Sequence, residues 1–315
     1  MEKVIIIGSG PAGLTAAVYA GRAQLEPLLI SGPSLGGQVA LSSEIGNYPG
    51  FPEDIPGAEL AQRMHEHAER FGTRFESDIV TSVDLSSRPF KVVTYGNEYE
   101  AQALIVSTGS SPRKLRVPGE KEFSGRGVSY CATCDGFFYM GKEIVMVGGG
   151  DAAVEESLFL TRFASKVHLV HRRDQLRAER VLQERALRNE KINVVWDSIV
   201  TEIVGDGAVS GVQLRNVKTG EEELFSTSGV FVAIGHVPNT AFLQGQLELT
   251  ESGYIVADPD GRTSVEGVWA AGDVADWTYR QIATSVGSGC KAAMQAEHYI
   301  AELEDRAYPG RTRLS

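Results

Sequence analysis

The sequence predicts an α/β protein of two dinucleotide-binding (Rossmann-like) domains, the second inserted within the first. Two glycine sets carry that prediction. Gly8-Ser9-Gly10-Pro11-Ala12-Gly13 follows an apolar run at 4–7, and Gly148-Gly149-Gly150-Asp151-Ala152-Ala153 follows another at 144–147. Each stands where a buried strand gives way to a helix. The spacing also repeats, since Ser31 lies 23 residues after Gly8 and His171 lies 23 after Gly148. A further strand-to-turn junction, Gly267-Val268-Trp269-Ala270-Ala271-Gly272-Asp273, follows only after the second fold is complete.

The elements follow in order. Residues 3–7 are short, apolar and rich in Ile and Val, as a buried parallel strand is. A helix over 11–23 and a strand over 27–30 complete a βαβ unit. The strand 104–106 ends in Ser107-Thr108-Gly109. A crossover near 110–115, marked by Pro112, leads into the second fold. There, a strand at 143–147, a helix through Ala164 and a strand at 167–170 repeat the unit. The strand 230–233 ends in Ile234-Gly235, and a return crossover near 236–242 carries Pro238. The closing stretch 279–303 reads as one long helix with Gly287 and Gly289 near its start. The tail 306–315, with Pro309, Gly310 and several Arg, is expected to fray. The domains are therefore 1–112 plus 241–315, and 113–240.

Composition narrows the function. The chain has 315 residues, 42% hydrophobic and 23% charged, as a globular protein with sizeable cores has. A formal net charge of −11 argues against a nucleic-acid binder. No apolar run approaches the roughly 20 residues that span a bilayer. The N-terminal apolar run is too short for a signal peptide. Three cysteines do not make a disulfide framework, whereas Cys131-Ala132-Thr133-Cys134 suits a redox pair in a reducing compartment. The expected location is the cytoplasm.

At the first glycine set, Gly8, Gly10 and Gly13 let backbone approach a pyrophosphate seated on the helix start at Pro11 and Ala12. A tight turn without ligand is the alternative. No acid follows about 20 residues on, because the second strand ends in Ile30-Ser31-Gly32. Ribose recognition at Ser31 must work differently, and Gly36-Gly37-Gln38 is a candidate loop over the ligand. Gly272 and Asp273 belong to the same site. Asp273 can accept from a ribitol hydroxyl, or serve as a simple cap. Arg280, Gln281, Ile282 and Ala283 then present a helix N-terminus, which stabilises negative charge and suits a reduced flavin.

At the second set, Gly148, Gly150, Asp151 and Ala152 form the phosphate turn. The strand after it ends in His171-Arg172-Arg173, with Arg177 beyond. An NAD site wants an acid there. Guanidinium groups match a 2′-phosphate instead, which predicts NADPH over NADH. A solvated basic helix face is the alternative, and it fits Arg180, Arg185 and Arg188 better. His171 is a packing or adenine-edge residue. No His or Cys stands at ligand spacing, so no metal is expected.

Cys131 and Cys134 can close a small disulfide ring. Zinc needs a second pair, and only Cys290 remains, expected to be a buried apolar residue. Asp135 can move the proton that thiol–disulfide exchange requires, or cap a turn. Phe137-Phe138-Tyr139 reads as core or as a partner surface, with core favoured. Two nucleotide sites plus one dithiol trace an electron path.

Together these residues resemble the low-molecular-weight thioredoxin reductases of bacteria. The resemblance runs over nearly the whole chain: GSGPAG, the stretch Asn47-Tyr48-Pro49-Gly50-Phe51, CATCDGFF, GGGDAAVEE, HRRDQLRA, AIGHVPNT, and AAGD followed by YRQ. It implies a homodimer with FAD in the discontinuous domain and NADPH in the inserted one. It implies that Cys134 faces the flavin, Cys131 attacks the thioredoxin disulfide and Asp135 is the general acid/base. It implies rotation of the inserted domain about the two crossovers, and partner contact at Arg126 and the Phe137–Phe138 edge. Asp151-Ala152 departs mildly, since some relatives carry other small or polar residues there. A related flavoenzyme serving another redoxin or a peroxidase partner is the alternative; a nucleotide-binding redox sensor without turnover is a third reading.

Overall fold

A computed structural model describes residues 1–42, 44–243 and 245–305. The tail expected to fray, 306–315, lies outside the described residues. The chain forms two compact units, Met1–Ser111 with Val237–Ser315, and Pro112–His236. Residues 237–240 thus belong to the first unit and Pro112, the last residue of a short boundary strand, to the second.

The first unit opens with β1 (Glu2–Ile7), α1 (Pro11–Arg22) and β2 (Leu28–Ile30). Next come α2 (Gly57–Glu69), β3 (Arg74–Glu76), β4 (Val80–Asp84), β5 (Phe90–Thr94), β6 (Glu98–Val106) and the short β7 (Ser110–Pro112). The second unit holds β8 (Val128–Ser129), the single turn α3 (Ala132–Asp135), β9 (Glu143–Gly148), α4 (Asp151–Leu160), β10 (Lys166–Val170) and α5 (Arg180–Arg188). It continues through β11 (Ile192–Val195), β12 (Ser198–Asp206), β13 (Ala208–Asn216), β14 (Glu222–Ser226) and β15 (Val230–Ala233). The chain returns through β16 (His236–Pro238), which pairs β7, to β17 (Val268–Ala270) and α6 (Ile282–Leu303).

In the first unit the strand order is β3-β2-β1-β6, with β1, β2 and β3 parallel and β6 parallel to β1. β6 is long enough to serve two partners. Residues 98–101 pair antiparallel with β5, and 104–106 pair parallel with β17. Alternation along β1 divides the core. Val4 and Ile6 pack with α1 and α6, whereas Ile5 and Ile7 join Val83, Phe90 and Val268 on the other face. The second unit repeats the parallel core as β11-β10-β9-β15-β8 and adds the antiparallel sheet β12-β13-β14. Ile144 and Met146 face the side that holds Ala153, Val154 and Leu160 of α4; Val145 and Val147 face Val212 and Leu214 of β13.

Two helix bounds differ from expectation. The helix expected through Ala164 ends at Leu160, where the chain turns and Phe163 O accepts from Gly141 N at 2.9 Å. The closing helix starts at Ile282, because Arg280 adopts φ 48° and Gln281 is extended as its N-cap.

α1 and α6 meet through small residues. Ala12, Gly13, Ala16, Ala17 and Ala20 are buried on one, and Gly289, Ala292, Ala293 and Ala296 on the other. A β-carbon on Gly289 would run into the Ala12 carbonyl oxygen, whereas one on Gly287 would meet nothing within 4 Å. The two glycines therefore predict opposite effects on one helix. Gly289→Val lowers stability by roughly 1–3 kcal/mol through overpacking, and flavin content falls with it. Gly287→Ala is neutral or stabilising, by up to about 1 kcal/mol. Thermal melting and the ratio of visible to ultraviolet absorbance check both.

Candidate functional site

The first unit gathers one group of the expected residues at the strand ends. Gly8 turns at φ 107° beside the Ser107 backbone, and its N donates to Ile30 O at 2.8 Å. A β-carbon on Gly13 would strike the Gly8 carbonyl oxygen, so glycine there lets α1 begin directly against β1. Gly10 is the N-cap of α1 and gives no side-chain cap, and Pro11 opens the helix. The space a Gly10 β-carbon would occupy is free to 4 Å. The helix start thus keeps unsatisfied N–H groups facing an open cradle, the arrangement that accepts a pyrophosphate.

Around that cradle Ser9 Oγ donates to Ser31 O at 2.8 Å and to Ser34 O at 3.2 Å. Gly36 N donates to Ser9 O at 3.1 Å, which brings the Gly36–Gly37 turn over Gly10. Gln38 follows, exposed. From the far end of the chain, Gly272 N donates to Ser288 Oγ at 2.8 Å, and Ser285 Oγ donates to Asp273 Oδ1 at 3.2 Å. Burial raises the Asp273 carboxyl to about 6, with Ser285 opposing the shift. A carboxylate held there wants a further donor, and a ribitol hydroxyl is one. Asn47 Nδ2 donates to Gln281 Oε1 at 3.2 Å. Arg280 Nη1 donates to Trp277 O at 3.1 Å. Ile282 packs on Val39, Ile45, Ile55 and Leu60, so its side chain anchors the α6 start, with Ala283 exposed beside it. Ser285 and Ser288 were not foreseen. Their signal is an i, i+3 pair of hydroxyls on a helix that otherwise buries alanine and glycine.

The second unit gathers the other nucleotide group. Gly150 caps α4 without a side chain and has open space where its β-carbon would be. Asp151 Oδ1 accepts from Glu179 N at 2.7 Å, and Ala152 is exposed next to it. Arg177 N donates to Gly149 O at 2.7 Å. The glycine turn and the arginine segment are therefore one site. Arg172, Arg173 and Arg177 are exposed, and among the described residues none makes an ion pair. Arg180 and Arg188 instead pair with Glu184 on α5. His171 is buried beneath Gly149, with Nδ1 2.8 Å from Gly148 O and Nε2 3.1 Å from Gln175 O. It supports the loop by packing and has no free edge for adenine. Free guanidinium groups beside a capless helix start suit a 2′-phosphate and a pyrophosphate together.

The dithiol lies in the same unit. Cys131 and Cys134 are joined as a disulfide with Cα atoms 5.3 Å apart. Cys134 N donates to Cys131 Sγ at 3.2 Å, and Cys131 N donates to Ser129 Oγ at 3.1 Å. Cys131 is half-buried and Cys134 exposed. Burial raises the Asp135 carboxyl, with a hydrogen bond from Ser129 opposing the shift. Asp135 is therefore better able to hold a proton near neutrality than an ordinary aspartate.

Two expectations are corrected here. Phe137 and Phe138 are not core: they are 65% and 37% exposed. The 3-10 turn Gly136–Tyr139 sends Tyr139 inward onto Phe231, ring centroids 5.1 Å apart, and leaves both phenylalanines outside. Cys290 is half-buried rather than buried, its thiol 3.9 Å from Met294 Sδ.

The chain is similar to known proteins over nearly its full length. The family model described as pyridine nucleotide-disulphide oxidoreductase matches residues 2–295. A thioredoxin reductase of Rickettsia conorii is 52% identical over 303 residues, covering 95% of this chain and 98% of that one. One from Streptomyces coelicolor is 51% identical over 319 residues, covering 100% and 99%. The solved thioredoxin reductase of Streptococcus pyogenes superposes with a TM-score of 0.91 at 44% identity, over 95% of this chain and 98% of that one. The chain belongs to the pyridine nucleotide-disulphide oxidoreductase family, among its thioredoxin reductases.

Proposed function

We propose that this protein is an NADPH-dependent flavoprotein disulfide reductase whose substrate is oxidised thioredoxin. The observation that carries the reading is the Cys131–Cys134 disulfide, set in the same unit as a glycine turn with three exposed arginines that make no ion pair among the described residues. The names of its close relatives supply thioredoxin as the acceptor. FAD, when bound, takes hydride from NADPH and delivers two electrons to a disulfide.

The residues take roles that follow from their positions. Gly8, Gly10, Pro11, Ala12 and Gly13 hold the FAD pyrophosphate at the α1 start. Ser31, the 36–38 loop and Asn47 flank it, and Asp273 accepts from the ribitol chain. The 280–283 segment places the α6 start in the same site. Gly148, Gly150, Asp151 and Ala152 hold the NADPH pyrophosphate, and Arg172, Arg173 and Arg177 bind its 2′-phosphate. Two electrons break the Cys131–Cys134 bond, and Asp135 gives the proton that one thiolate takes up. Cys131 then attacks a sulfur of the partner disulfide and forms a mixed disulfide. Cys134, its proton returned to Asp135, attacks the Cys131 sulfur of that bond; the internal disulfide is restored, and the partner's two sulfurs leave as thiolates that take up one proton from Asp135 and one from solvent.

The exposed Phe137 and Phe138, three and four residues past Cys134, form the apolar edge on which a redoxin docks, and the resemblance adds Arg126 to the partner surface. A homodimer, resting on the resemblance, and a cytoplasmic location, resting on a lone Cys-x-x-Cys pair suited to a reducing compartment, are part of the proposal. Among the described residues no helix is long and apolar enough to cross a membrane.

Anaerobic titration with NADPH bleaches the yellow protein, and oxidised thioredoxin then restores the colour. Bleaching without recovery rejects thioredoxin as the acceptor; no bleaching rejects NADPH as the donor. Cys131→Ser and Cys134→Ser each abolish thioredoxin reduction while flavin stays bound, and turnover retained in either variant would falsify the dithiol route. Asp135→Asn slows thioredoxin reduction on the order of 10²-fold without altering NADPH binding, measured by stopped-flow and ligand titration.

Asp273 predicts a pH effect of known sign. In the flavin-free protein its carboxyl titrates near 6, above the ordinary 3.8. Between those values the native state holds a proton that the unfolded chain has lost, so stability falls as pH rises. The stabilising contribution is complete below pH 3.8 and gone above about 6. Asp273→Asn flattens this fall in melting temperature and lowers flavin affinity.

A further inference from the structure

Asp174 directly follows Arg173, yet its carboxylate is engaged elsewhere. Lys218, on the turn between β13 and β14, bonds Asp174 at 2.8 Å and Asp197 at 3.0 Å. Asp197 is only 17% exposed, whereas Asp174 and Lys218 are well exposed. The backbone fixes all three in place. Asp197 N donates to Arg173 O at 3.3 Å, Val217 N donates to Asp197 O at 2.6 Å, and Ser198 N donates to His171 O at 3.0 Å. The arginine segment and the Lys218 turn are thus both tied to residues 197–198. The bond to Lys218 holds the Asp174 carboxyl below the ordinary range, and the two acids raise the lysine.

A carboxylate is the strongest protein competitor for a guanidinium, because it matches the same fork of donors that a phosphate does. Asp174 stands beside Arg172 and Arg173 in sequence, but its charge is spent on Lys218. Among the described residues, no carboxylate pairs with Arg172 or Arg173.

We propose that Lys218 is a positioning residue for 2′-phosphate recognition: it occupies the Asp174 carboxylate and so keeps Arg172 and Arg173 available to the phosphate. This rests on the reading of those arginines as the 2′-phosphate site. Lys218 acts through Asp174 and does not itself touch the ligand. The consequence is specific. Loss of Lys218 frees a competing carboxylate, and removal of that carboxylate cures the loss.

The test uses the oxidised holoenzyme and two probes, 2′,5′-ADP and 5′-ADP, titrated by calorimetry without turnover. Lys218→Met weakens 2′,5′-ADP by about two- to five-fold, leaves 5′-ADP unchanged, and has a smaller effect at high salt. Lys218→Arg retains wild-type affinity. The double variant Lys218→Met/Asp174→Asn returns to it. Arg173→Gln weakens 2′,5′-ADP by roughly ten-fold or more. Unchanged melting temperatures establish that the exposed turn still folds. If Lys218→Met binds normally while Arg173→Gln does not, the role of Lys218 is overturned. If Lys218→Met weakens binding and Asp174→Asn brings no rescue, the loss does not run through Asp174 and the proposal fails. If Arg173→Gln has no effect, the arginine reading fails, and this proposal with it.

Discussion

The first unit depends on close approach of backbone to backbone at a few glycines. The Gly8 carbonyl fills the place of a Gly13 β-carbon, and the Ala12 carbonyl fills that of Gly289. A Gly272 β-carbon would lie 2.9 Å from that of Ala12. These contacts lock the end of β1, the start of α1, the turn after β17 and the first half of α6 into one cluster. Everything expected to hold the flavin hangs on it. Any side chain at these positions would push apart elements whose loops must meet around one small ligand.

The second unit uses the same strand–glycine–helix device and changes what surrounds it. Where β2 is followed by a serine whose carbonyl accepts from Ser9, β10 is followed by a buried histidine and two exposed arginines that make no ion pair among the described residues. Desolvation lowers the His171 pKa, opposed by the Gly148 and Gln175 carbonyls that face its two ring nitrogens. The guanidinium charges lie outside, on exposed arginines, where a phosphate can reach them. The disulfide occupies a single helical turn of the same unit, with one half-buried carboxyl next in sequence. Charge recognition and sulfur chemistry are thus built from short loops on one parallel sheet, the economical solution in α/β folds.

Much of this was legible in the sequence because the signals are local. Apolar runs followed at once by Gly8 and Gly148 announce strand, turn and helix within a few residues. The paired cysteines and the arginines after His171 are equally compact. What was not legible depends on geometry that composition does not encode. Phe137 and Phe138 look like core, and only the path of a 3-10 turn turns them outward. The start of α6 was misplaced because Arg280, a residue with no special liking for positive φ, adopts it. Ser288 and Lys218 were invisible for a different reason. Their partners, Gly272 and Asp174, are 16 and 44 residues distant, and single hydroxyls or lysines carry no periodic signal.

The discontinuity of the first unit has a consequence for the order in which the protein is made. β1, α1 and β6 leave the ribosome early, but β17 and α6, which complete their sheet and cover α1, come last. The whole second unit is synthesised in between, with every strand of its parallel core already available. It can fold while the first unit still waits with an open sheet edge and an uncovered helix. Asp273 and the α6 start arrive only with the end of the chain. On the roles proposed for these residues, flavin capture follows synthesis of the whole second unit, and a chain cut before β17 would carry the dithiol without the residues proposed to complete the flavin site.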